Sequence, residues 1–142
     1  VDAGQLTTVS SLGFRGRNLV KVARQLAERG PGWALHLRDL PYIQAHKALV
    51  EMNGIGAKIA DCVCLFSLDK TEAVPVDTHV WQLAKDLYFP HWADRRTVTD
   101  LGYRTVSGAF RERFGELAGY AQNFLFYDHF ANHWGGTSPL LK

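Results

Sequence analysis

The residues best suited to chemistry lie in two neighbouring segments of the chain. The first is Gly54-Ile55-Gly56-Ala57-Lys58-Ile59-Ala60-Asp61-Cys62, and the second is Val74-Pro75-Val76-Asp77-Thr78-His79. Glycines in a tight turn let a ligand approach bare backbone, and the N–H groups at the start of the following helix attract anions. A lone Gly-x-Gly turn is more often an unliganded corner between two helices, so a phosphate-binding interpretation depends on the residues that follow it.

The residues after the turn are typical of nucleophilic chemistry at a sugar. Lys58 and Cys62 are four apart and therefore share one face of a helix. An amine in a partly dry site can attack a sugar C1′ and form a Schiff base, and a carboxylate such as Asp77 can stabilise the resulting charge or move protons. Taken one at a time, a surface lysine, a helix N-cap and a small core cysteine are the commoner roles.

The elements that must position these residues are helices. Apolar residues recur at helical spacing along most of the chain, and the alternation typical of strands is nowhere sustained. Helices are expected over about 16–30, 42–51, 57–68, 77–88, 98–110 and 117–134, with Gly135-Gly136 releasing the last one. The sequence therefore predicts one all-α domain over residues 1–142, a helical bundle in which two short helices flank the Gly-x-Gly turn.

The first of these helices has an amphipathic pattern. Its apolar positions are Leu19, Val22, Ala23, Leu26 and Ala27, and its charged positions are Arg17, Lys21, Arg24 and Glu28. This spacing predicts a helix with a basic outer face.

Composition limits the class of protein and its compartment. A net charge of +2 permits nucleic-acid binding without arguing for it, and 46% hydrophobic residues allow a packed core. Cys62 and Cys64 are too close in sequence for an unstrained disulfide, which indicates a reducing, intracellular compartment.

No apolar run approaches the ~18 residues of a membrane span, so no membrane partner is expected. Because the chain opens on Val1, we interpret it as a piece of a longer protein.

Several segments together resemble a known family. Met52-Asn53-Gly54-Ile55-Gly56-Ala57-Lys58 and the Pro75–His79 segment are similar to motifs of the helix-hairpin-helix (HhH-GPD) DNA glycosylases, and within them to 8-oxoguanine DNA glycosylase/AP lyases. Leu12-Gly13-Phe14-Arg15, Ala45-His46-Lys47-Ala48-Leu49 and the segment from Phe114 to Gln122 support the same branch. The resemblance implies a base-excision repair enzyme that flips an oxidised purine out of damaged double-stranded DNA, cleaves its N-glycosidic bond and then cuts the strand by β-elimination.

The resemblance also assigns roles to individual residues. It implies that Lys58 is the nucleophile and that Asp77 is the catalytic aspartate. It places Cys62, Gln122 and Phe126 in the pocket for the flipped base, and the spacing agrees for the last two because they are four apart on one helix.

Further roles concern the DNA backbone and the opposite strand. The resemblance implies phosphate contacts from His79 and from the backbone N–H groups near Gly54, Gly56, Lys58 and Ile59. It implies that Phe14 is a wedge and that Arg15 reads the orphaned opposite base. On sequence alone, a solvent-facing histidine is an equally good interpretation of His79, and a helix-entry aromatic and a surface arginine remain open interpretations of Phe14 and Arg15.

The resemblance gives only limited expectations about cofactors and further chains. The four-cysteine cluster of some relatives is absent, so no iron-sulfur cluster is expected. The family often holds a structural Na⁺ or K⁺ ion through backbone carbonyls, here those of Val50, Met52 and Ile55. Asn53 replaces the usual proline of the turn, which is expected to loosen it. The family's N-terminal domain and first helices are missing from this sequence, and a second chain is one possible source of them.

Two alternatives remain open at this point. A glycosylase of the same fold could prefer another lesion, such as an alkylated base. A non-catalytic helix-hairpin-helix module could bind DNA for a partner, although the combination of Lys58 with Asp77 argues against it. If the protein is eukaryotic, the resemblance implies the nucleus, with the mitochondrion as a second location.

Overall fold

The computed structural model describes residues 14–134, which form helices joined by short turns and contain no β-strand. The α-helices are α1 (Phe14–Arg29), α2 (Gly32–Asp39), α3 (Tyr42–Val50), α4 (Ala57–Ser67), α5 (Thr78–Leu87), α6 (Asp100–Phe114) and α7 (Ala118–Trp134). Two short 3₁₀ turns, Pro90–Trp92 and Gly115–Leu117, precede α6 and α7. The all-α fold expected from the sequence is confirmed. The expected end of the last helix at Gly135-Gly136 lies outside the described residues.

The chain divides into two compact units whose boundary falls within α4. One unit extends to Ala60 and the other begins at Asp61. The Gly-x-Gly turn and Lys58 therefore belong to the N-terminal unit, and Cys62 and Asp77 belong to the C-terminal unit.

The N-terminal unit is built from α1, α2 and α3. Pro31 and Pro41 occupy the N-cap positions of α2 and α3, where a residue without a backbone N–H costs no helical hydrogen bond. The buried hydrophobic residues of this unit are Leu37, Tyr42, Ala45, Leu49, Met52 and Ala60. Because α2 contacts both α1 and α3, these three helices form one packed group.

Helix α1 is present as expected, but two residues of its apolar side are largely exposed. Leu19 and Leu26 are 52% and 40% exposed. The α1 residues that reach the turn after α3 are instead polar: Asn18 lies against Gly54, and Gln25 exchanges hydrogen bonds with Asn53. Gln25 thereby pairs a backbone N–H and a backbone C=O of the turn that would otherwise need another partner.

In the C-terminal unit, α7 packs on α5 and α6 around one hydrophobic core. That core consists of Val74, Val76, Val80, Trp81, Leu83, Ala84, Val106, Phe110 and Ala118. Gly119 allows the closest approach, since its N–H donates to the Thr71 carbonyl at 2.8 Å and a Cβ at this position would lie 2.3 Å from the Ala73 carbonyl oxygen. Only glycine permits α7 to lie this close to the segment before α5.

Candidate active site

The turn between α3 and α4 is closed by local backbone bonds and by one glycine in the left-handed region. The Ile55 N–H donates to the Met52 carbonyl at 3.1 Å. Gly54 has φ +98°, and a Cβ there would lie 3.1 Å from the Asn18 Cβ, so both conformation and space favour glycine. At Gly56 a Cβ would meet nothing within 4 Å. Gly54 therefore shapes the turn, whereas Gly56 leaves open space beside the backbone.

The N-terminus of α4 presents unbonded backbone donors beside Lys58. The first intrahelical bond joins the Ala60 N–H to the Gly56 carbonyl at 2.9 Å, so the preceding N–H groups of Ala57, Lys58 and Ile59 have no intrahelical acceptor. The Lys58 side chain is exposed on this first turn. An amine, three aligned N–H groups and the helix dipole all favour an anion at this end of α4.

Two hydrogen bonds between Gln25 and Asn53 connect helix α1 to the same turn. The Asn53 N–H donates to Gln25 Oε1 at 3.2 Å, and Gln25 Nε2 donates to the Asn53 carbonyl at 3.4 Å. A proline at position 53 would lack this N–H. The sequence predicted that Asn53 would loosen the turn, but the contact with α1 opposes this. The contact was not predicted because Gln25 and Asn53 are 28 positions apart.

Helix α4 has a buried side and an exposed side, and the sequence pattern did not separate them. Ala60, Cys64 and Leu65 are buried, whereas Ile59 and Phe66 are 48% and 65% exposed. Apolar side chains therefore occur on the exposed side of α4 as well as on the buried side, and Cys62 is partly buried.

The two cysteines lie in different environments. Burial raises the pKa of the Cys64 thiol from 9.0 to about 12, and the nearby Asp61 carboxylate adds to this rise. Cys64 is therefore an inert core residue, while the partly buried Cys62 remains reachable.

Asp77 is the N-cap of α5, as the sequence indicated. One of its oxygens, Oδ1, accepts both the His79 and the Val80 N–H groups at 2.9 Å. Oδ2 has no hydrogen-bond partner within residues 14–134. One carboxylate oxygen thus fixes the side chain while the other is left to act on a ligand.

Two of the residues assigned to base and phosphate binding lie together in the C-terminal unit. The rings of His79 and Phe126 meet edge to face with centroids 6.0 Å apart. Gln122, one turn before Phe126 on α7, is only 4% exposed, and its amide has no hydrogen-bond partner among the residues that the structure describes. The Gln122 amide atoms are not among the fully buried unpaired atoms of the described residues, so they remain open to a ligand.

A buried polar network joins α4, α6 and the segment before Asp77. Asp61 is fully buried, and its Oδ2 accepts a short hydrogen bond from the Tyr103 hydroxyl. The same hydroxyl oxygen lies 3.4 Å from the Val76 N–H, which donates to it. Sequence reasoning gave Asp61 no role, although a carboxylate within the apolar run from Ala60 to Cys64 was a signal for a buried polar partner.

The remaining assignments stay predictions. Arg15 is exposed at the start of α1, and the Phe14 side chain lies outside the described residues.

Among described residues no group of three His, Cys, Asp or Glu side chains could hold a metal ion, a finding that does not concern carbonyl ligands. Lys58 and Asp77 lie in different units, so their pairing also stays a prediction. In the described part of the chain no helix is long and apolar enough to cross a bilayer.

Known proteins are similar to this chain in both sequence and structure. The N-glycosylase/DNA lyase OGG1 of Arabidopsis thaliana is 40% identical over 120 residues, covering 82% of this chain and 33% of that protein. The N-glycosylase/DNA lyase of Saccharomyces cerevisiae is 30% identical, covering 89% of this chain and 39% of the relative. The chain thus spans 33% to 39% of the length of these relatives. No protein-family model matches it.

A solved structure extends the similarity to the fold. The Clostridium acetobutylicum 8-oxoguanine glycosylase/lyase, in complex with double-stranded DNA containing cytosine opposite 8-oxoG, superposes with a TM-score of 0.70 and 31% identity, covering 84% of this chain and 38% of that one. Together with the hairpin turn, Lys58 and the Asp77 cap, these similarities show that the chain belongs to the helix-hairpin-helix (HhH-GPD) DNA glycosylase superfamily, among relatives named as 8-oxoguanine glycosylases and N-glycosylase/DNA lyases.

Proposed function

We propose that this chain is the helix-hairpin-helix catalytic part of a bifunctional DNA glycosylase/AP lyase that removes 8-oxoguanine from duplex DNA. One observation supports this most directly: an exposed lysine stands on the first turn after the Gly-x-Gly corner, and an aspartate N-cap keeps one oxygen unbonded. A hairpin that only binds DNA needs neither group. The named substrate of the Clostridium relative supports 8-oxoguanine as the lesion.

Lys58 is the proposed nucleophile. The lone pair of its neutral amine attacks C1′ of the damaged nucleotide while the N-glycosidic bond breaks, and the base leaves with the bonding electrons and then takes up a proton. The Lys58 nitrogen then loses a proton, its lone pair displaces O4′ from C1′, and O4′ takes up a proton, which leaves an iminium between Lys58 and the opened sugar. Removal of a proton from C2′ expels the 3′ phosphate, and water then releases the lysine. Because Lys58 is exposed in the structure, bound DNA would have to exclude water from the amine.

Asp77 is the proposed electrostatic and acid-base partner. Its Oδ1 is held by two N–H groups of α5, so the carboxylate does not need to reorganise as positive charge develops on the sugar. Oδ2 is free to face that charge or to move a proton.

Cys62, Gln122 and Phe126 are proposed to bind the flipped base. Gln122 supports this assignment, because the residue is only 4% exposed, its amide has no partner among the described residues, and a base edge would pair with its donor and acceptor groups. Phe126 offers a ring for stacking, and the partly buried Cys62 offers a soft contact.

Backbone contacts complete the proposed DNA surface. The N–H groups at Gly54, Gly56, Lys58 and Ile59, together with His79, would bind phosphates, and Phe14 with Arg15 would occupy the gap opposite the lesion. A Na⁺ or K⁺ ion is proposed to bind the backbone carbonyl oxygens of Val50, Met52 and Ile55, because oxygen is the donor atom that such ions prefer. The Met52 oxygen keeps a second lone pair after accepting the Ile55 N–H.

The proposal extends to the whole protein. We place residues 1–142 as the catalytic part, with the remainder of the lesion pocket supplied by residues outside this sequence, either in the same polypeptide or in a second chain. The two-thirds of the Arabidopsis relative that this chain does not span support this arrangement. A DNA substrate implies an intracellular location, which in a eukaryote is the nucleus or the mitochondrion.

Borohydride trapping on damaged duplexes tests the proposed chemistry, because the reagent reduces an iminium to a stable amine. The protein from the complete reading frame is expected to form a covalent adduct with 8-oxoguanine duplex, and Lys58→Gln is expected to abolish it. Lys47→Gln, a change at an exposed lysine of α3, is the matched control and should trap normally. Undiminished trapping by Lys58→Gln would refute the nucleophile.

A panel of duplexes separates the rival functions. Excision of an alkylated base but not of 8-oxoguanine would replace the proposed lesion. Duplex binding without excision or trapping on any lesion would indicate a non-catalytic DNA-binding module.

A further inference from the structure

We propose that Asp61 and Tyr103 act as positioning residues that hold the backbone just before Asp77 in the geometry needed for base excision, an inference that rests on the function proposed above. Neither residue has a role in the chemistry already assigned. Both lie in the C-terminal unit, on α4 and α6.

The first observation is the burial of a carboxylate where the fold does not require one. Asp61 is 0% exposed and sits between Ala60 and Cys62 on a helix whose other buried positions are apolar or sulfur-containing. A buried carboxylate is strongly unfavourable unless hydrogen bonds compensate it. Its short bond from the Tyr103 hydroxyl supplies such compensation and fixes the orientation of the tyrosine.

The second observation is what the hydroxyl contacts next. A tyrosine hydroxyl has one proton, so donation to Asp61 leaves its oxygen as an acceptor. The Val76 N–H donates to that oxygen at 3.4 Å. Val76 is the residue directly before Asp77, so the bond restrains the backbone from which the Asp77 side chain projects.

These contacts form a chain that ends at the proposed catalytic carboxylate. Asp61 orients Tyr103, Tyr103 restrains Val76, and the α5 N-terminus then holds Oδ1 of Asp77. The cap alone fixes the carboxylate relative to α5, whereas the Tyr103 bond ties the same segment to α4 and α6. An acid-base group displaced by about 1 Å can lose two orders of magnitude in rate, so a restraint at this point has catalytic consequences.

Three variants at these two positions test the proposal. Tyr103→Phe removes one oxygen, Asp61→Ala removes the acceptor, and Asp61→Asn keeps an acceptor oxygen of the same shape. In the protein from the complete reading frame, the maximal single-turnover excision rate is expected to fall about 10- to 100-fold in the first two variants. Half-saturating protein concentration should change less than about threefold, since phosphate contacts set it. Asp61→Asn should keep most of the rate.

Two further readouts separate positioning from loss of stability. Borohydride capture of a pre-formed abasic site depends on Lys58 and should stay within about twofold of wild type. Amide hydrogen exchange at Val76 should become at least about 10-fold faster in Tyr103→Phe. Tyr88→Phe is the matched tyrosine control, because no hydroxyl contact is described for Tyr88. Phe110→Leu is the stability control, because Phe110 belongs to the same hydrophobic core as Val76 but makes none of the network's hydrogen bonds.

The outcomes distinguish this inference from the proposed function. Wild-type excision together with an unchanged rate in Tyr103→Phe would overturn the inference and leave the function standing. The inference would also fail if Phe110→Leu and Tyr103→Phe, compared at conditions of equal thermal stability, lost the same excision rate while both kept their capture of the abasic site. If the wild type neither excises nor traps, the proposed function fails, and unchanged exchange at Val76 in Tyr103→Phe would then overturn the restraint as well.

Discussion

Replacing Gly119 by alanine tests whether the close approach of α7 positions the base pocket. Gly119 is buried at the start of α7, one turn before Gln122. A Cβ at this position would lie 2.3 Å from the Ala73 carbonyl oxygen, 2.6 Å from Leu65 Cδ1 and 2.9 Å from the Thr71 carbonyl oxygen. The leucine methyl can rotate away, but the two carbonyls belong to the backbone.

The size of the effect follows from the contact with Ala73. Its 2.3 Å separation is about 1.1 Å short of the 3.4 Å at which ordinary contact begins, so α7 or the 71–73 segment must move by nearly that amount. Overpacking of this kind typically costs about 1–3 kcal/mol. For a domain of this size the midpoint of thermal unfolding should fall by roughly 2–12 °C. Displacement of Gln122 and Phe126 by about 1 Å should slow excision about 10- to 100-fold.

The assay pairs thermal unfolding with single-turnover excision of 8-oxoguanine. Gly108→Ala is the matched control, because Gly108 lies within α6 and a Cβ there would meet nothing within 4 Å. That change should stabilise the protein by about 0.5–1 kcal/mol through helix propensity and leave excision unchanged. If Gly119→Ala unfolds at or above the wild-type temperature and excises normally, the argument from close approach is refuted.

Four further predictions concern other parts of the structure. Asp77→Ala should destabilise the protein by about 0.5–2 kcal/mol through loss of the cap, whereas Asp77→Asn should keep the cap and still lose at least about 100-fold in excision, as measured by unfolding and kinetics. In a double-mutant cycle, Asn53→Pro should lower the free energy of unfolding by about 0.5–1.5 kcal/mol less in a Gln25→Ala background than in wild type, since proline has no N–H for Gln25 to accept. Additive changes in the free energy of unfolding would contradict a stabilising contact between Gln25 and Asn53. At pH 8 iodoacetamide should label Cys62 but not Cys64. Because the Cys64 pKa is raised from 9.0 to about 12, the free energy of unfolding should fall as pH rises from 9 to 12, and a Cys64→Ala variant should lack this contribution.

Most of the fold was available from the sequence. Helix periods and the capping aspartate at 77 predicted six of the seven described α-helices to within about four residues of their observed ends, whereas α2 was not predicted as a helix. The pattern gave poor guidance on which side of a helix is buried. In α4 apolar residues occur on both sides, and the structure buries Ala60 and Cys64 while Phe66 stays exposed.

The candidate site was only partly predictable for a related reason. Residue types and short spacings indicated Lys58, Asp77 and the Gly54 turn, because each depends on neighbours within a few positions. The surroundings of Gln122 were not readable from local sequence, since the low exposure of this polar residue depends on what packs around α7.

By itself, the sequence determined the local chemistry of this protein: an amine after a glycine turn, a carboxylate at a helix start, and helices to hold them. Tertiary structure decided how those groups are supported. Gln25 meets Asn53 across 28 positions, and Tyr103 meets Asp61 across 42. Hydrogen bonds of a few ångströms between such distant residues depend on how whole helices pack, which no local pattern of residue types encodes.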